Sequence, residues 1–380
     1  VINWDHNATT PLRPEVAELL VRRIREGAGG NASSIHASGR AARRVLEDAR
    51  AQVAHVLGAE PKEITFTGSG TEAAALCLKG AWFARRDATR TRVVVSAVEH
   101  PAVLKAAAQL ERHGATVTRV PPEPDGRVDA SRMAEALGPD VAVCSLMWAN
   151  NETGVLQPVR ELAAACRRSG VPFHVDAVQA VGKVRVNLRE VNADLLTFSA
   201  HKFGGPPGVG VAVVRRGVTL EALAPGHQED GRRGGTQDVR GAEATSLALS
   251  LADAEVEAWA ARLSLLRDGF EARLRARLPS IHVHGADAPR VANTSNVRFD
   301  GADGEALLIA LDLAGICVST GAACSSGSLA PSHVLTAQGL SPAQAHASLR
   351  FSLGREATED EVERVLATLC EAVPRSRAAP

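Results

Sequence analysis

No run of apolar residues in this chain approaches the roughly 20 that a helix needs to cross a bilayer, and the stretch from Val1 to Thr10 lacks the apolar core of a signal peptide. A soluble, cytoplasmic protein is the expectation. Net charge is absent as well: 43 basic and 43 acidic residues cancel, and neither sign gathers into a long block, so nothing draws the chain directly to nucleic acid or to a membrane surface. The cysteines, at 77, 144, 166, 317, 324 and 370, include no CxxC pair, which argues against both a disulfide framework and a zinc site. Lysine is scarce. It stands only at 62, 79, 105, 183 and 202, which shortens the list of amines that chemistry has to choose from.

What is present suits a large globular enzyme. With 380 residues and 45% hydrophobic content the chain can bury a sizeable core, and two domains fit its length better than one. From about residue 60 to 215, short β-branched runs alternate with amphipathic stretches, the pattern of a mainly parallel sheet covered by helices. The expected strands are 64–67, 93–96, 116–120, 141–145, 173–176, 195–199 and 209–214. Helices are expected from Pro101 to His113, closed by Gly114, and from Val159 to Ser169, closed by Gly170. Ahead of these, Pro14 opens a helix whose stripe of Val16, Leu19, Leu20 and Ile24 ends at Gly27, and a second helix runs from about Ser38 to Leu57. The glycine-rich residues between them, 28–34, read either as a linker or as a loop that reaches a ligand. After about residue 240 the texture changes to a long alanine- and leucine-rich helical stretch, then short strands near His282 and Asn296. A last helix starts at the capping-box spacing Thr358-Glu-Asp-Glu361.

Five places carry candidate chemistry. Gly68-Ser-Gly-Thr-Glu72 lies between a strand and a helix, where backbone N–H groups and the Thr71 hydroxyl either hold an anion or simply make a tight turn. Asp176 ends an apolar strand, so its carboxylate needs a cation, either a core basic residue or a protonated pyridine nitrogen; Gln179 stands three residues on. Ser199-Ala-His-Lys202 ends another strand, at the sheet edge where parallel-sheet enzymes place functional groups, and Lys202 there has the setting of a Schiff-base amine. Cys324 sits among small residues in Ser319-Thr-Gly-Ala-Ala-Cys-Ser-Ser-Gly-Ser328, too poor in apolar surface for core, which favours an exposed and reactive thiolate. Arg350, inside an apolar strand-like segment, is suited to a bidentate carboxylate partner or to a structural ion pair.

The order of these motifs resembles that of NifS/IscS-type cysteine desulfurases, in the class V aminotransferase group of fold-type I pyridoxal-phosphate (PLP) enzymes. The likeness spans nearly the whole chain: Asn7-Ala-Thr-Thr-Pro11, Asn31-Ala-Ser-Ser-Ile-His36, Gly70-Thr-Glu72, Glu99-His-Pro101, Trp148-Ala-Asn-Asn-Glu-Thr-Gly154, His174 to Lys183, His201-Lys202, Gly235-Thr236, the Cys324 segment and Arg350-Phe-Ser-Leu-Gly-Arg355. It implies an α/β fold with a mainly parallel seven-stranded sheet in a large domain, residues 15–250, and a smaller α+β domain, residues 251–380, that carries the cysteine. Residues 1–14 are implied to pack with the small domain.

By position, the resemblance implies that Lys202 holds PLP and that His100 stacks on its ring and aids proton transfer. It implies that Asp176 pairs with the ring nitrogen, that Asn151 and Gln179 face the phenolic oxygen, and that Gly70, Thr71, Ser199 and His201 hold the phosphate. Thr236 is implied to reach the phosphate site of a homodimer partner, Arg350 to anchor the substrate carboxylate with help from Asn31, and Cys324 to receive sulfur from L-cysteine as a persulfide. The sulfur then passes to an acceptor protein, such as an iron-sulfur scaffold or a sulfur carrier. Alternatives within the resemblance are a selenocysteine lyase or another PLP-dependent C–S lyase, and a scaffold without activity. Ala73 to Ala75, Pro207 and Asp230 depart from the family's usual residues, and the short run after the last helix implies weak or different docking on the usual cluster scaffold.

Overall fold

The structure is a computed structural model; it describes all residues except 28, 321–329, 379 and 380. Seven strands, β1 (Ile64–Thr67), β2 (Arg92–Ser96), β3 (Thr116–Val120), β4 (Val141–Ser145), β5 (Phe173–Asp176), β6 (Leu195–Ser199) and β7 (Gly210–Val214), form one sheet in the order β1-β7-β6-β5-β4-β2-β3. Only β7 runs against its neighbours. The strands β4 to β7 are buried along their whole length because helices cover both faces, which is why they read as unbroken apolar runs in the sequence.

The helices obey the signals that announce them. Pro14 occupies the first turn of Pro14–Arg25, and Val159–Ser169 stops at Gly170, whose φ of 64° favours glycine. Pro101–Glu111 ends two residues before the expected position, in turns that lead to Gly114. Thr358 caps the helix Glu359–Ala378 by accepting from the Glu361 N–H at 3.3 Å.

A second core lies away from this sheet. Strands Ser348–Ser352, Thr294–Phe299 and Ile281–Val283 form an antiparallel sheet in that order, and Ile2–Asn3 pairs in parallel with Ile316–Cys317. Trp4, fully buried, meets Phe270 edge-on at 5.3 Å and Phe351 at 6.4 Å, which roots the first residues of the chain in this second core. The 39-residue helix Val239–Arg277 belongs to both cores: Ala242 to Ala252 pack under the large sheet, and Leu263 to Leu274 pack against Trp4 and its neighbours.

Between the two cores the N-terminal segment crosses the carboxyl edge of the large sheet. The Thr10 N–H donates to the His201 carbonyl at 3.0 Å and Arg13 Nε to the Phe203 carbonyl at 3.1 Å. That crossing brings Asn7 and Ala8 against the ends of β5 and β6, where the chemistry-bearing residues lie.

Candidate active site

A cavity of about 430 Å³ opens at this carboxyl edge, and most of the residues singled out in the sequence line it. One end is an anion cradle. β1 turns at Gly68 into the helix Gly70–Arg85; Ser69 caps it by accepting from the Glu72 N–H at 3.1 Å, and the Glu72 carboxylate takes the Gly68 N–H at 2.7 Å and Arg233 Nε at 2.9 Å. Gly70 leaves little room here: a Cβ would stand 3.1 Å from Ser199 Cβ and 3.2 Å from Val178 Cγ2. The helix N-terminus with Ser69, Gly70 and Thr71 therefore faces Ser199 and His201 across the cavity, and its dipole favours negative charge.

Asp176, at the end of β5, is nearly fully buried and accepts the Val178 N–H at 2.9 Å. Burial pushes its carboxyl up to about 6, against the opposing pull of that N–H and of Lys202. Lys202, on the turn after β6, donates from Nζ to the backbone carbonyls of Asn7 at 2.6 Å and Ala8 at 2.7 Å. His100 caps the helix Pro101–Glu111, its Nδ1 accepting from the Ala102 N–H at 3.1 Å. The neutral ring therefore carries its hydrogen on Nε2. Burial first, and then Lys202, push His100 down to about 4, and His201 falls to about 4 for the same two reasons.

On the other wall, Arg350 extends from the second core. Its Nη2 donates to Asp5 Oδ1 at 2.6 Å and its Nη1 to the Asn151 carbonyl at 3.0 Å, while its buried Nε finds no partner among the described residues. Asn151 Oδ1 is likewise buried without one. Gln179 donates to the Asn7 carbonyl at 2.9 Å.

Cys324 lies outside the described residues, but both flanks of its segment are fastened beside the cavity. Ser319 exchanges backbone hydrogen bonds with Arg350 at 3.1 and 2.6 Å. On the far side the Ser332 hydroxyl binds the buried Glu152 carboxyl, and His333 Nε2 meets the Glu99 carbonyl at 2.9 Å. Two candidates are not brought into the cavity of this single chain: Asn31 is exposed, its side chain closing a local turn on the Ser33 N–H at 2.9 Å, and Thr236 is exposed elsewhere. Among the departures, Ala73 and Ala74 are core residues of the helix that starts at the cradle, and Pro207 lines the cavity. Sequence reasoning did not assign Asn7 a place in the site, although Asn7 contacts Asn151, Gln179, Lys183, Lys202, Asn293 and Thr294. Lys183, one of the few lysines, was a signal left unused.

The donor set fits pyridoxal phosphate. A glycine-lined helix N-terminus suits its phosphate, a buried carboxyl suits its ring nitrogen, an amine between them suits its aldehyde, and buried polar atoms of Asn151 and Arg350 remain for further polar groups. This is the constellation of a fold-type I PLP enzyme. Residues 2–365 match the model of the class V aminotransferases. An "IscS-like cysteine desulfurase" of Mycobacterium tuberculosis is 44% identical over 99% of this chain and 97% of its own. A solved structure named "NIFS-LIKE PROTEIN" superposes with a TM-score of 0.90 at 33% identity, covering 98% of this chain and 99% of its own. One described as "SspA in complex with cysteine" does so at 0.82 and 30%, covering 94% and 100%. The chain belongs to the class V aminotransferase family and is PLP-dependent. Among the described residues, no helix is long and apolar enough to cross a membrane.

Proposed function

We propose that this protein is a cysteine desulfurase, which takes sulfur from L-cysteine onto Cys324 and releases L-alanine. The observation that carries the reading is the convergence of Lys202, Asp176, His100 and Arg350 on one cavity, with both flanks of the Cys324 segment fastened beside it. Bound PLP supplies an electron sink for the substrate α-carbon. Lys202 would hold the cofactor through its aldehyde, and its amine would move the substrate α-proton. Gly70, Thr71, Ser199 and His201 hold the phosphate, Asp176 keeps the ring nitrogen protonated, and Asn151 and Gln179 face the phenolic oxygen. His100, neutral at pH 7, stacks on the ring and aids proton transfer. Arg350, helped by Asn31, anchors the substrate carboxylate.

Cys324 as thiolate attacks the substrate sulfur. The C–S bond breaks, an S–S bond forms, and the electron pair left on carbon takes up a proton to give alanine; sulfur is oxidised to the persulfide level and carbon is reduced. The persulfide then serves an acceptor protein, an iron-sulfur scaffold or a sulfur carrier, in the cytoplasm. Residues 15–250 act as the cofactor domain, 251–380 as the domain that carries Cys324, and 1–14 as a segment packed with it. The working unit is a homodimer in which Thr236 of each copy completes the other's phosphate site, a role that suits its exposure. The visible spectrum of the purified protein with added PLP, before and after L-cysteine, tests the reading on the parent and on Lys202→Ala. A band that cysteine changes in the parent, with no covalently held cofactor in the variant, is expected; a parent that binds no PLP overturns it.

A further inference from the structure

Two of the chain's few lysines stand on either side of Asn7 and Gln179. Lys202 and the Gln179 amide nitrogen share the Asn7 backbone carbonyl, at 2.6 and 2.9 Å. Lys183, four residues beyond Gln179 across a pair of turns and only 3% exposed, donates from Nζ to Asn7 Oδ1 at 2.6 Å and to Gln179 Oε1 at 2.5 Å. Both acceptors are neutral amide oxygens, so among the described residues this buried amine has no carboxylate hydrogen-bond partner. The charged groups that act on it most strongly are Lys202 and Arg350, and His6 stands close enough to feel its charge. Burial foremost, and then Lys202 and Arg350, hold it well below the usual lysine range.

The consequence lies in the amides. A primary amide accepts on one side and donates on the other, and only its partners decide which way it faces. With Oε1 taken by Lys183, Gln179 has its NH2 turned away from Lys183: one hydrogen serves the Asn7 carbonyl, and the other is without a partner among the described residues at a side chain that lines the cavity. With Oδ1 taken by Lys183 and, at 3.3 Å, by Asn293 Nδ2, Asn7 donates to the Asn151 carbonyl at 3.2 Å and to Thr294 Oγ1 at 2.9 Å, which tethers Asn151. We propose that Lys183 is a positioning residue for the reaction, fixing Gln179 as a hydrogen-bond donor toward the cofactor's phenolic oxygen and locking Asn7 under Lys202.

The inference rests on the PLP-dependent reading above. A donor to the phenolic oxygen stabilises its anion and lowers the pH at which the bound cofactor's absorption changes; losing the donor raises that midpoint. The test is a pH titration of the visible spectrum of the holoenzyme, with kcat/KM for cysteine measured beside it. Lys183→Met should raise the midpoint by about one unit, the worth of one charge-assisted hydrogen bond, and lower kcat/KM. Gln179→Leu should raise it by a similar amount, and Lys183→Met should add little on top of Gln179→Leu. If Lys183→Met does not fold, Lys183→Gln, which keeps an amide donor, is titrated instead and should give a smaller rise. A folded variant with the parent's midpoint, or a full second shift in the double variant, overturns the inference and leaves the PLP reading intact. A parent that binds no cofactor removes the reading itself.

Discussion

Replacing Arg350 by lysine tests the substrate anchor without dismantling the wall that holds it. Arg350→Ala would strand Asp5 and the Asn151 carbonyl, which the guanidinium now binds at 2.6 and 3.0 Å. Lysine keeps the charge and loses the planar fork, including the Nε–H that is buried without a partner among the described residues. A charge-assisted hydrogen bond is worth about 1.5–3 kcal/mol, so loss of one bond to the substrate carboxylate should cost about 10- to 150-fold in kcat/KM. The loss should fall mainly on KM, because the carboxylate is bound alike before and during the C–S cleavage. Alanine formation from L-cysteine reports it. L-cysteine methyl ester, which lacks the carboxylate charge, supplies the control: the parent should discriminate against it by a similar factor, and Arg350→Lys should not. If the variant slows both substrates equally, or neither, Arg350 is a structural ion pair to Asp5 and the assignment fails.

Further outcomes follow from the same geometry. Lys202→Ala should lose about 10²- to 10⁴-fold in kcat, the span of a general acid–base contribution, while purified variant and parent show matching circular dichroism. Burial pushes Glu99, whose Oε1 accepts from Ser96 Oγ at 3.1 Å and from the Met147 N–H at 2.8 Å, up from 4.5 to about 8. A group raised on folding gives stability that is full below its unfolded value and lost as pH rises through its folded one. Glu99→Gln should therefore flatten the fall in urea stability between about pH 5 and 9; an unchanged slope refutes the assignment. Arg50 binds the fully buried Glu229 carboxylate at 2.8 and 2.9 Å, at a residue of φ 53° followed by Asp230 at 54°. Arg50→Ala should destabilise the fold by about 3–5 kcal/mol by leaving that charge unpaired, and equilibrium unfolding would show it.

The strands of the large sheet were legible to within a residue: burial on both faces demands continuous β-branched runs, such as Val93 to Val95, that no helix period imitates, and the part-exposed edge strand Thr116–Val120 is marked by its own β-branched alternation. The helix end at Gly170 was legible because positive φ selects glycine, whereas Pro101–Glu111 stops at Arg112, short of Gly114, whose positive φ serves the turn that follows. The placement of Asp176 and Lys202 beside one cavity could be read because an ionisable residue at the close of an apolar run needs a partner. Asn7 could not: its partners lie 144 to 345 positions away, and a lone asparagine carries no local signal of such contacts. The boundary expected near residue 250 falls inside the helix Val239–Arg277, whose two halves face different cores while its backbone continues unbroken. A change in which face is apolar leaves no break in composition. Asn31 and Thr236 show the same limit from the other side, since nothing in their own stretch of sequence says which cavity, or which copy of the chain, they serve.

The central claim is that sulfur leaves cysteine for Cys324, and the most direct measurement is single-turnover chemistry on the holoenzyme with L-cysteine, comparing the parent with Cys324→Ala. Alanine is quantified, and protein-bound persulfide is read by mass spectrometry. The account predicts one alanine and one persulfide sulfur per active site in the parent, with the persulfide on the peptide that contains Cys324, and neither product in the variant, which still binds PLP. If Cys324→Ala makes alanine at the parent's rate, the sulfur is released by another route and the protein is a different PLP-dependent lyase.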